Sequence, residues 1–174
     1  MSGINYDLSK IKGFVFDVDG VLSPSTIPLG EDGYPRRMVN IKDGYALQLA
    51  VKKGYRIAII TGGKGIAIQT RFESLGIKDI YTGASKKLPI LKEWLSKENL
   101  SPEEVAFMGD DIPDLQCLRH VGLPCAPYDA CWEAKETAAY ISKFSGGYGC
   151  GRDIIEQTMK AQGKWMSDAE AFGW

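Results

Sequence analysis

Phe14-Val15-Phe16-Asp17-Val18-Asp19-Gly20-Val21-Leu22 decides how the rest of the chain is read. Phe14 to Phe16 is a short apolar run rich in β-favouring residues, which suits a strand covered on both faces. Two acids and a glycine turn follow. In open α/β sheets the C-terminal end of a strand is where ligands bind. Asp17 and Asp19 are two residues apart, so an extended backbone points both side chains the same way. Like charges that close repel, and they invite a shared proton or a bound cation. A hard divalent ion with oxygen ligands, such as Mg²⁺, is the natural neutraliser. A lone D-x-D is also an ordinary polar exit from a strand. An EF-hand is a poor match, because the twelfth place from Asp17 holds Pro28 instead of a bidentate glutamate.

Outward from that stretch, strands and helices alternate, which predicts an α/β fold: a Rossmann-like parallel sheet flanked by helices. Arg56 to Ile60 reads as a second buried strand ending in Thr61-Gly62. Ile77 to Tyr81 is a weaker strand. Lys86 to Lys97 carries Leu88, Leu91, Trp94 and Leu95 at helical spacing, a core-facing stripe. Ser101-Pro102-Glu103-Glu104 has the capping-box pattern. Val105 to Met108 is the next strand, and Gly109-Asp110-Asp111-Ile112-Pro113-Asp114 is its exit loop. Between the first strand and Asp43-Gly44, where a helix is expected to open, residues 24–41 read as an inserted β-hairpin turning at Glu31-Asp32-Gly33. Pro28 and Pro35 make its arms irregular. Its apolar residues need a partner, and self-association is one solution. A glycine-rich tail, residues 145–174, closes a single domain spanning 1–174.

Composition bounds the rest. The chain has 174 residues, 44% hydrophobic, with net charge −1. That supports a real core and gives no basic footprint for nucleic acid or membrane. The absence of a signal-like N-terminus or a membrane-length apolar run predicts a cytoplasmic protein. Cys117, Cys125, Cys131 and Cys150 form no C-x-x-C pair and read as buried thiols in a reducing compartment. The single histidine, His120, lies in an apolar helical stretch, which argues against Ser-His-Asp or Cys-His catalysis.

Three strand ends therefore present polar groups: Asp17 and Asp19, Thr61 and Gly62, then Asp110, Asp111 and Asp114. Lys87 at a helix start completes the set. Taken singly, Thr61-Gly62 is a common turn, Lys87 a solvated lysine and Asp110 a helix cap. Gathered at adjacent strand ends, four or five acids have no structural advantage without a cation. The chemistry that fits is phosphoryl transfer. A carboxylate attacks phosphorus, a second carboxylate moves the protons, and a hydroxyl, backbone N–H groups and an ammonium hold the phosphate oxygens.

These segments, in order, resemble the four motifs of the haloacid dehalogenase-like phosphatases. The likeness extends over nearly the whole chain to the small branch without a cap domain. Lys42-Asp43-Gly44 is similar to that branch's R-D-G, with lysine for arginine. Gly146-Gly147-Tyr148-Gly149-Cys150-Gly151-Arg152-Asp153 and Ala161-Gln162-Gly163-Lys164 are similar to its tail. The resemblance implies Asp17 as nucleophile and Asp19 as general acid/base. It implies Mg²⁺ on Asp17, the Asp19 carbonyl and Asp110, with Asp111 and Asp114 beside them, and phosphate on Thr61, Gly62 and Lys87. It implies a homotetramer whose inserted hairpins meet centrally and whose active sites are shared between subunits, and a flexible glycine-rich lid. The implied reaction is hydrolysis of the sugar-acid phosphate 3-deoxy-D-manno-octulosonate 8-phosphate to KDO and phosphate, a lipopolysaccharide-synthesis step. A nine-carbon sugar-acid 9-phosphate is the alternative substrate. A non-catalytic assembly module is the alternative from another class, disfavoured because every motif acid is present. A mutase is disfavoured because the insert is too short for a cap. Many members of the branch carry arginines where this chain has Gly63-Lys64, so Lys64, Arg71 and Arg152 are the expected cations for the sugar end.

Overall fold

The computed structural model describes residues 3–174. Six strands form one parallel sheet: β1 (Gly13–Phe16), β2 (Arg56–Ile60), β3 (Asp79–Tyr81), β4 (Val105–Met108), β5 (Leu123–Ala126) and β6 (Tyr140–Ile141). Their spatial order is β3-β2-β1-β4-β5-β6. The apolar run after Lys12 thus takes the centre, with Val15 beside Ala58 of β2 and Phe107 of β4. The order reverses direction at β1, so the crevice beyond Phe16 lies at a topological switch point.

Helices cover both faces, as parallel strands require. α1 (Ile41–Lys52), α2 (Ile66–Glu73) and α6 (Cys150–Ala161) lie on one side, packing Leu47, Phe72, Ile154 and Met159 around Phe14, Phe16 and Ile59. α3 (Lys87–Glu98), α4 (Leu115–Leu118) and α5 (Trp132–Thr137) lie on the other, packing Leu91, Trp94 and Leu118 around Val15, Ile60 and Phe107. Each such fully buried large side chain contributes about 1.5–3 kcal/mol. No helix among the described residues is long and apolar enough to cross a membrane.

Two boundaries differ from expectation. The helix expected at Asp43 starts at Ile41, because the Asn40 side chain caps it, accepting from Lys42 N and Asp43 N at 2.9 and 3.1 Å. The inserted hairpin forms only in part. Residues 28–36 bend back through Arg36 N to Pro28 O and Gly30 N to Tyr34 O, both 2.8 Å, with a single Leu29–Pro35 bridge. Pro28 and Pro35 lack the donors that would extend the ladder.

The last helix clasps the first strand. Gln162 Nε2 donates to Leu8 O and Ile11 O at 2.8 Å, just before β1. At the other end, Cys150 Sγ donates to Val21 O at 3.1 Å.

Candidate active site

β1 delivers Asp17 to the crevice, where it is almost fully buried. Asp17 Oδ1 accepts from Val18 N at 2.7 Å, and Oδ2 lies 2.9 Å from Lys87 Nζ. Burial, with Asp114 nearby, pushes the Asp17 carboxyl up to about 6 despite the ammonium. Lys87 is the first residue of α3, so the helix start aims its chain into the crevice. Burial works against its charge, but Asp17 and Asp114 outweigh it and hold the ammonium above its usual range.

Asp114 is the anchor of this cluster. Its Oδ1 accepts from Lys87 Nζ at 2.6 Å. Its Oδ2 accepts from Asp110 N at 3.0 Å and Asp111 N at 3.3 Å, shaping the exit loop of β4. Asp110 is left with a buried, unpartnered Oδ1. Burial, then the charges of Asp17, Asp114 and Asp111, push it up to about 8. Gly20 makes this approach possible: its φ is +86°, and a Cβ there would collide with the Asp110 carboxylate.

Carboxylate oxygens of Asp17, Asp110 and Asp114 lie within 4.8 Å of one another. Asp114 already serves an ammonium and two amides, whereas Asp17 has one contact on each oxygen and Asp110 Oδ1 has none, so Asp17 and Asp110 keep the most lone pairs for a cation. An orphaned buried oxygen, two carboxyls driven toward protonation and an all-oxygen donor set fit a hard divalent ion. Thr61 closes the other wall. It is buried, and its Oγ1 accepts from Gly63 N at 3.0 Å, turning the chain after β2. Asp17, Asp19, Thr61, Gly62, Lys87, Asp110, Asp111 and Asp114 together line one cleft of about 440 Å³. Its polar walls and its place at three strand ends suit a phosphate group.

Asp19 lines the cleft and is gripped by Arg37 of the insert, with Nε to Oδ1 at 2.7 Å and Nη2 to Oδ2 at 2.8 Å. Arg37 had no signal in the sequence. The sugar-end cations fall in three places. Lys64 is exposed at the cleft's edge, its stem lying along Gly83. Arg71 turns away and rests its guanidinium on Gly44 of α1. Arg152 pairs with Glu156 at 2.9 Å and stacks between Tyr45 and Trp165, 5.6 and 5.2 Å from their ring centres. None of the three lines the cleft.

The glycine-rich segment is a packed turn where a loose lid was expected. Gly147 N donates to Val21 O at 2.7 Å, and Asn40 Nδ2 donates to Gly147 O at 3.1 Å. Gly146 passes so near Gly20 that a Cβ would strike the Gly20 carbonyl. Asp43 fastens the far end, accepting from Arg152 N at 2.7 Å at the start of α6; burial pushes its carboxyl up to about 6.

Comparison with known proteins agrees with this geometry. The profile of the haloacid dehalogenase-like hydrolases matches residues 72–147. The 3-deoxy-D-manno-octulosonate 8-phosphate phosphatase KdsC of Escherichia coli (strain K12) is 37% identical over 155 residues, 89% of this chain and 82% of that one. The crystal structure of the Yersinia pestis 3-deoxy-D-manno-octulosonate 8-phosphate phosphatase superposes with a TM-score of 0.87 at 34% identity, covering 91% of this chain and 85% of that one. The Moraxella catarrhalis 3-deoxy-D-manno-octulosonate 8-phosphate phosphatase, solved in complex with magnesium ion, phosphate ion and KDO, superposes with a TM-score of 0.86 at 31% identity, covering 91% of each chain.

Proposed function

Since the chain belongs to the haloacid dehalogenase-like hydrolases and is a phosphoric monoester hydrolase, we propose that it cleaves 3-deoxy-D-manno-octulosonate 8-phosphate to KDO and phosphate in lipopolysaccharide sugar synthesis. The observation that carries this is the convergence of Asp17, Asp19, Thr61, Lys87 and Asp110 on one cleft. Similarity to the relatives over nine-tenths of the chain supplies the substrate.

The residues divide the work. Asp17 attacks phosphorus and becomes an aspartyl phosphate. Asp19 gives a proton to the leaving sugar oxygen and then takes one from the hydrolytic water. Thr61, the Gly62 N–H and Lys87 hold the phosphoryl oxygens. Lys87 also keeps Asp17 in line through its 2.9 Å contact. Asp17, Asp110 and the Asp19 carbonyl would hold Mg²⁺, which when bound offsets the repulsion between carboxylate and phosphate. Asp111 and Asp114 shape the loop that carries Asp110.

The proposal extends to a homotetramer that completes its active sites between subunits. Leu29, Tyr34, Met38, Val39, Ile41 and Ile66 are large, apolar and exposed on the insert and its surroundings, with Leu29 73% exposed. Such a patch calls for a partner. Four free thiols fit work in a reducing cytoplasm.

The test is phosphate release with Mg²⁺ from octulosonate 8-phosphate, nine-carbon sugar-acid 9-phosphates and hexose phosphates. The expected result is a large kcat/KM preference for the eight-carbon acid, abolished in Asp17→Asn. A nine-carbon preference would reassign the substrate. Turnover retained by Asp17→Asn would remove the nucleophile.

A further inference from the structure

We propose that Arg37 is the residue that receives the carboxylate of the sugar acid. This deepens the substrate reading above and rests on it.

Arg37 is held for a task. Its side chain is 13% exposed. Arg37 also borders an apolar hollow of about 210 Å³ with Val18, Pro35, Met38 and Phe72. The guanidinium spends three of its five N–H donors: Nε and Nη2 on the two oxygens of Asp19, and Nη1 on Lys64 O at 3.2 Å. Two donors remain, one on each Nη. Two N–H groups on one planar guanidinium suit a second carboxylate, bound in bidentate fashion.

The position is right for the leaving group. Asp19 would serve the oxygen that bridges phosphorus and sugar, and Arg37 grips both of its oxygens. Arg37 is not itself part of the cleft's lining, but its guanidinium abuts Asp19 and Gly63, which are. At that border it would meet an anionic group farther along the same sugar.

Gly63 supports this assignment. Its backbone has no positive φ, so the turn itself does not require glycine. What requires it is space: a Cβ at Gly63 would lie 2.6 Å from Arg37 Nη2 and 3.1 Å from Asp19 Oδ2. The missing side chain makes room for the guanidinium. A lone ion pair offers the simpler explanation, in which Arg37 merely holds Asp19. The two readings differ in what they do to substrates that lack a carboxylate.

The experiment measures kcat and KM for octulosonate 8-phosphate and for glucose 6-phosphate, which has no carboxylate. The variants are Arg37→Ala, Arg37→Lys, Gly63→Ala and the double Arg37→Ala/Gly63→Ala. Arg37→Ala is expected to lose about 30-fold more kcat/KM on the sugar acid than on the hexose phosphate, chiefly through KM, the scale of a charged hydrogen-bonded pair. Arg37→Lys restores only part, because lysine binds as a point charge. Gly63→Ala displaces the guanidinium and lowers the same ratio. In the double variant it adds less than about 3-fold, since the two sites are coupled. An equal loss on both substrates, or a loss confined to kcat, would overturn the assignment and leave Arg37 as a support for Asp19. A wild type that shows no preference for the sugar acid would overturn the substrate reading, and this assignment with it.

Discussion

Asp114→Asn is the substitution whose cost follows most directly from the geometry. The aspartate is fully buried and splits its oxygens between two tasks. Oδ1 meets the Lys87 ammonium at 2.6 Å, and Oδ2 collects the amides of Asp110 and Asp111 at 3.0 and 3.3 Å. Asparagine has the same shape but one acceptor. With its oxygen toward the amides, its NH₂ confronts an ammonium. Turned over, the NH₂ confronts two N–H groups. Either way a charge-assisted bond is lost, worth about 1.5–3 kcal/mol, and a buried cation keeps only one counter-charge. Breaking a buried ion pair outright costs about 3–5 kcal/mol. Lys87 still has Asp17 at 2.9 Å, so the lower end applies, about 3 kcal/mol. A domain of this size loses about 2–4 °C of Tm per kcal/mol, which gives a fall of about 6–12 °C. Thermal unfolding by circular dichroism, in EDTA at pH 7, reads it without a bound cation's contribution. A fall under about 2 °C would refute the reasoning that Asp114 anchors Lys87. The same variant lets the Asp110 loop shift, and kcat is expected to drop about 10–100-fold, the usual cost of losing a partner behind a metal ligand.

Three further expectations concern other parts of the site. Asp17 and Asp110 have folded pKa values pushed above the ordinary carboxyl range, to about 6 and about 8. The folded, cation-free protein therefore binds protons that the unfolded chain releases, and its stability falls as pH rises from about 4 toward 8. Mg²⁺ binding must displace those protons, so affinity climbs between pH 6 and 8; titration calorimetry at pH 7 in buffers of different ionisation heat checks this, and absence of proton release contradicts it. Gly146→Ala drives a methyl into the Gly20 carbonyl and shifts the Asp19–Gly20 loop, with kcat reduced about 100-fold; steady-state kinetics that match wild type would show the glycine-rich turn to be incidental. Leu29→Asp with Met38→Asp charges the exposed insert and is expected to yield a smaller species in sedimentation, whereas unchanged sedimentation would place the subunit interface elsewhere.

The sheet and the polar groups at its strand ends were legible in the sequence because each depends on neighbours in the chain. Phe14–Phe16, Ile57–Ile60 and Val105–Met108 are apolar runs that only a strand buried on both faces accommodates, and each is followed at once by the polar groups it presents. Lys87 was legible for a similar reason, standing at the head of a helix with a clear apolar stripe. Arg37 was not. It follows Arg36, which forms an ordinary pair with Asp32 four residues away, and nothing local marks Arg37 as the one that reaches 18 positions back to Asp19. Arg71 and Arg152 misled because helical facing decides where a long side chain ends: one folds onto Gly44, the other between two aromatic rings. The start of α1 was misplaced because Ile41 and Lys42 continued the pattern of the insert, hiding Asn40 as a cap. The role of Asp114 as anchor depends on contacts across 27 residues.

The clasp of α6 on both ends of β1 has a consequence for the order in which the protein comes into being. A ribosome makes the strand bearing Asp17 about 145 residues before Gln162, which ties down Leu8 and Ile11 from 154 and 151 positions away. The turn that braces the Asp19–Gly20 loop is likewise late, at Gly146 and Gly147. Contacts between such distant parts of a chain close slowly. A nascent chain therefore displays its acids well before they are braced to work, and activity waits for the α6 segment to be made and docked.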